Sequence, residues 1–94
     1  MKVYISGPMT GKPDNNRAAF LSAAEELTED GCITIHTDWM IDQLSEQEYM
    51  LIALQMLLSC DAIYLLKDWD TCPISHLEHS VARACGLALI YVED

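Results

Sequence analysis

Basic residues are scarce: Lys and Arg number five against fifteen Asp and Glu, a formal net charge of −10 over 94 residues. A chain this acidic repels nucleic acid and anionic membranes, so direct binding to either is excluded as an expectation. Long apolar runs are also missing. None reaches the roughly 18 residues that a membrane span needs. The opening "MKVYISGPM" lacks the apolar stretch of a signal peptide and reads directly as a strand. A cytoplasmic protein is expected. The four cysteines, Cys32, Cys60, Cys72 and Cys85, contain no C-x-x-C pair, and in that compartment they should be reduced. There is no repeat, linker or low-complexity segment.

What is present is a folding sequence, 51% hydrophobic, of a size for one domain over residues 1–94. Four β-type runs stand out: "VYIS" (3–6), "CITI" (32–35), "AIYLL" (62–66) and "ALIYV" (88–92). They are nearly continuous in apolar character, as in strands buried on both faces. Helical patterns lie between them. Residues 15–31 carry Phe20, Ala24 and Leu27 at helical spacing, with Asn15 or Asn16 placed to cap the start and Gly31 the end. Residues 45–59 open with Ser45 and Glu48 in capping-box spacing. Residues 73–86 put Pro73 in the first turn, align Leu77, Val81 and Cys85 on one stripe, and stop at Gly86. The order β-α-β-α-β-α-β predicts an α/β fold with a four-stranded parallel sheet and helices on both faces. The middle helix is apolar almost all round, which one sheet face cannot cover. A homodimer through residues 45–59 is therefore expected.

Sites in open parallel sheets form outside the carboxyl ends of the strands. Three loops gather there: "GPMTGKPDNN" (7–16), "HTDWMIDQL" (36–44) and "KDWDTCP" (67–73). With the helix starts that follow, they hold Asp14, Asp38, Asp42, Glu46, Glu48, Asp68, Asp70 and Glu78, opposed by Lys12, Arg17 and Lys67. Gly7 and Gly11 bracket a loop able to cradle a phosphate. The carboxylates raise the cost of admitting one and favour a cationic partner.

"KVYISGPMTG" followed by "LLSCDAIYLLKDW…LEHSVARACGLALIYV" resembles the nucleoside 2-deoxyribosyltransferase-like family, and within it the small members carried by phages and prophages. The resemblance implies a flavodoxin-like three-layer domain that dimerises. It also implies a glutamate that attacks the anomeric carbon of a deoxyribosyl group as the base leaves. The sugar then passes to another base or to water. Glu78 matches that nucleophile and Tyr4 the tyrosine of the first strand. Other positions depart from the family pattern. Leu51 and Ala53 stand where an arginine and an aspartate are found, and Cys72, Pro73, Ile74 and Ser75 replace "S-R-G-A".

Two functional expectations follow. In the first, the carboxyl edge is an anionic binding surface that mimics nucleic acid. Asp14, Asp38, Asp42, Glu46, Asp68 and Asp70 would stand in for phosphates, with Trp39 and Trp69 as anchors. Its partner would be a basic nucleic-acid-binding protein of a host defence complex, engaged as by an anti-CRISPR inhibitor. In the second, Glu78 and Tyr4 still cleave or exchange the N-glycosidic bond of a deoxynucleoside or its 5′-monophosphate. A pocket that binds nucleotide without reaction is a third possibility. No cofactor and no metal are expected: Cys72, His76 and His79 share one helix face, but no fourth ligand is evident. His36 reads as a hydrogen-bonded residue at a strand end.

Overall fold

The computed structural model describes residues 1–92, so the last two positions of the expected domain lie outside the described residues. Strands β1 (Lys2–Ser6), β2 (Ile33–Ile35), β3 (Ala62–Leu65) and β4 (Ala88–Tyr91) alternate with helices α1 (Arg17–Glu29), α2 (Glu46–Leu58) and α3 (Pro73–Ala84). All strand pairs are parallel, in the order β2-β1-β3-β4. The result is the expected flavodoxin-like α/β arrangement. The chain steps outward from β1 to β2, crosses back to β3 and continues to β4. The direction reverses between β1 and β3, whose carboxyl ends form the topological switch point.

Side-chain alternation along β1 divides the core. Val3 and Ile5 pack with Phe20, Ala23 and Leu27 of α1. Tyr4 faces the other way, into a cluster with Leu57 of α2, Ile63 and Leu65 of β3, and Ala82 of α3. One helix thus covers one face and two cover the other, as right-handed crossovers require for this strand order.

The helix ends follow local chemistry, with one exception. Ser45 Oγ accepts from the Glu48 amide, and the Glu48 carboxylate accepts from the Ser45 amide, which completes the predicted capping box. Gly31 and Gly86 follow α1 and α3 with φ of +86° and +78°, where a β-carbon would be strained. The exception is the start of α1. Asn16 is left-handed and makes no side-chain cap; its side chain donates to the Pro8 carbonyl, and that of Asn15 donates to Asp42. Both asparagines tie loops together instead.

The expected core stripe of α3 is corrected. Leu77 is 46% exposed and Cys85 is exposed, while Ser75, Glu78 and Ala82 face inward. Glu78 faces β1 because Tyr4 and Ser6 offer it hydroxyl partners, and Ala82 joins the apolar cluster beside it. On α2, Tyr49, Ala53 and Leu57 are buried, and Leu51, Ile52 and Leu58 remain exposed. No helix among the described residues is long and apolar enough to cross a membrane.

Candidate active site

At the switch point the loop after β1 and the loop after β3 are pressed together. A β-carbon on Gly7 would stand 2.7 Å from Leu66 Cβ, so only glycine permits this approach. All four non-glycine residues with positive φ among the described residues, Asp14, Asn15, Asn16 and Asp68, lie in these two loops. Backbone strain of this kind concentrates at functional sites. Beside the loops is a cavity of about 600 Å³. Met9 and Lys12 of the first loop, Leu44, Tyr49 of α2, and Cys72 and Ile74 at the start of α3 contribute to its walls.

One helical turn after Ile74, and not itself lining the cavity, sits Glu78, 2% exposed. Its Oε1 accepts from Ser6 Oγ at 2.7 Å and its Oε2 from Tyr4 Oη at 2.5 Å. Burial pushes the carboxyl up to about 6, and the two hydroxyl bonds oppose the rise. The network continues: Tyr4 Oη lies 3.4 Å from Thr37 Oγ1, which lies 2.5 Å from Tyr49 Oη. Burial, then the negative charge of Glu78, raises both phenols above their ordinary value. Among the described residues no buried polar side-chain atom lacks a partner. Two neutral hydroxyl donors, one on each oxygen, favour the charged carboxylate against its burial.

The two residues matched to the family's chemistry, Glu78 and Tyr4, are therefore in direct contact. Ser6, Thr37 and Tyr49 complete the cluster and are not among the site residues that the sequence predicts. The even-numbered alternation Tyr4–Ser6 was the available signal for Ser6. Nothing local marks Thr37 or Tyr49. Ile74 lines the cavity one helical turn before Glu78, where the family pattern has glycine.

The acidic residues are distributed differently. Asp38 is 3% exposed, with Oδ2 3.7 Å from Arg17 Nε and Oδ1 2.5 Å from His36 Nδ1. Buried against those groups, it does not belong to an exposed phosphate-like surface. Asp14 lies 3.9 Å from Arg17, Asp42 accepts from Asn15, and Asp68 lies 3.9 Å from Lys12. Asp70 is exposed, and Glu46 borders the cavity. Trp39 is 51% exposed and donates to the His36 carbonyl. Trp69 packs on α3, its ring 4.4 Å from that of His79 and 5.5 Å from that of His76. Neither tryptophan borders the cavity. Cys72 faces the cavity while His76 and His79 turn to Trp69, so these three do not converge. No metal-holding group of three or more His, Cys, Asp or Glu occurs among the described residues.

The 2-1-3-4 parallel sheet with its three helices has the nucleoside 2-deoxyribosyltransferase-like fold. The 2-desoxiribosyltransferase from Leishmania mexicana superposes on 96% of this chain with a TM-score of 0.78 at 19% identity. The match spans 62% of that protein's chain. Residues 1–91 match the family described as domain of unknown function (DUF4406), and the chain belongs to that family. No curated protein matches the sequence.

Proposed function

We propose that the protein cleaves or exchanges the N-glycosidic bond of a 2′-deoxynucleoside or its 5′-monophosphate, with Glu78 as nucleophile. The observation that carries this reading is the buried Glu78 carboxylate, fixed by Tyr4 and Ser6 and linked through Thr37 to Tyr49 in the cavity wall. The fold likeness supports it at the level of architecture. The cavity volume falls within the range of small-molecule sites, and Met9, Ile41, Leu44 and Ile74 offer apolar surface for a base.

In this reaction a Glu78 oxygen forms a bond to C1′ as the bond from C1′ to the base nitrogen breaks, its electron pair leaving with the base. A second base, or water, then displaces Glu78 from C1′. Tyr4 and Ser6 hold the carboxylate while it is charged, and one of its oxygens must turn towards the cavity to attack, since Glu78 is 2% exposed and does not line the wall. The alternative role, an acidic inhibitor of a nucleic-acid-binding complex, rests on the acidic residues of the carboxyl edge and on the departures at Leu51, Ala53 and residues 72–75, and the burial of Asp38 weakens it.

The test is base release. The purified protein and Glu78→Ala are incubated with the four 2′-deoxynucleosides and their 5′-monophosphates, and free base is measured by chromatography. Release by the wild type and none above background in the variant is the expected result. A folded wild type that releases no base ends this reading.

A further inference from the structure

We infer that Thr37 and Tyr49 are positioning residues for Glu78, acting through Tyr4 to hold the carboxylate in one orientation. The catalytic meaning of this inference rests on Glu78 being the nucleophile.

The hydrogen bonds themselves fix the direction of the chain. An ionised carboxylate has no proton, so Tyr4 must donate to Glu78 Oε2. The Tyr4 oxygen can then only accept, and Thr37 Oγ1 at 3.4 Å is placed to donate to it across the longest contact of the chain. Thr37 has one proton, so its own oxygen accepts from Tyr49. Three donors therefore point one way, from a residue in the cavity wall to the buried carboxylate. Each hydroxyl that donates while accepting is a better donor, so the chain strengthens its last bond. The three hydroxyl residues come from β1, the loop after β2 and the first turn of α2, so the chain also ties three elements to Glu78 of α3.

Ser6 Oγ holds the other carboxylate oxygen, Oε1, directly. Tyr4 and Ser6 from β1 bear directly on Glu78. Glu78, Thr37, Tyr4 and Cys72 bear on Tyr49. These groups include no cation, so hydroxyl donors alone offset the burial of the charge.

The experiment uses Thr37→Val, which keeps the shape and removes the hydroxyl, Thr37→Ser, which restores it, and Tyr49→Phe. The Glu78 carboxyl is followed by carbon-13 NMR from pH 4 to 9, assigned with Glu78→Gln, and base release from 2′-deoxyadenosine is measured in parallel. Thr37→Val is expected to lower the ionisation constant of Glu78 about twofold to fourfold. It should lower kcat about ten- to a hundredfold with little change in KM. Thr37→Ser should return both towards wild type, and Tyr49→Phe should shift the titration in the same direction as Thr37→Val. An unmoved titration in folded Thr37→Val, or no recovery in Thr37→Ser, overturns the positioning role. The two readings fail separately: turnover without a titration shift removes the chain, whereas a shift in a protein that never releases base removes the nucleophile.

Discussion

Glu78 decides the behaviour of the site at the scale of single residues. Its carboxyl titrates at about 6 in the fold against 4.5 as a reference, because burial disfavours the charge more than Tyr4 and Ser6 favour it. Folding therefore favours the protonated form. The contribution to stability is complete below about pH 4.5 and is lost as the pH rises through about 6, a change of about 2 kcal/mol. Glu78→Gln has no proton to lose and should abolish this component. Urea denaturation at a series of pH values checks it: the wild type should weaken relative to Glu78→Gln across that window, and parallel curves would contradict the burial argument. Under the proposed function activity should show the opposite trend, because an attacking carboxylate must be ionised. The wild-type rate of base release is expected to rise through pH 6 to a plateau. The same buried group thus costs stability at the pH where it becomes competent.

At the scale of elements, the switch point depends on a close approach between two loops. A β-carbon at Gly7 would meet Leu66 Cβ and Cδ1, both at 2.7 Å, in a region where both residues are buried. Gly7→Ala should cost about 1–3 kcal/mol, the usual range for overpacking. It should also reduce base release beyond the loss of folded protein, since the loop after β1 carries Met9 and Lys12 into the cavity wall. A lowered urea midpoint with unchanged specific activity would show that the approach serves stability alone. This contact illustrates what the sequence does and does not disclose. Strands, helix order and the capping box at Ser45 were legible because apolar periodicity and short-range spacing encode them. Glu78 and Tyr4 were legible only through the family resemblance. Their partner Ser6 is 72 positions from Glu78, and Thr37 is 33 from Tyr4; no local pattern reports such pairs. The α3 stripe was misassigned for the same reason. Leu77, Val81 and Cys85 have the right spacing for a core face, but the opposing strand carries hydroxyls. Those hydroxyls draw Glu78 inward, and the small Ala82 on the same face packs into the apolar cluster with Leu57 and Ile63.

At the scale of the whole molecule, the charge of −10 sets the terms on which a substrate enters. The cavity wall holds one cation and one anion, Lys12 and Glu46, and Lys12 also lies 3.9 Å from Asp68. Arg17 is shared between Asp14 and Asp38. The radius of gyration is 12.0 Å. At about 10 mM salt the screening length is about 30 Å, so a ligand at the cavity feels the charge of the entire domain; at 0.15 M it falls to about 8 Å and only neighbours count. A neutral 2′-deoxynucleoside is indifferent to this change. Its 5′-monophosphate is repelled at low salt and released from that repulsion as salt rises. For whichever substrates release base, KM for the monophosphate should therefore fall between 10 and 150 mM sodium chloride, while KM for the nucleoside stays constant. A monophosphate KM that rises with salt would mean that Lys12 leaves Asp68 to meet the phosphate. The local cation would then outweigh the net charge.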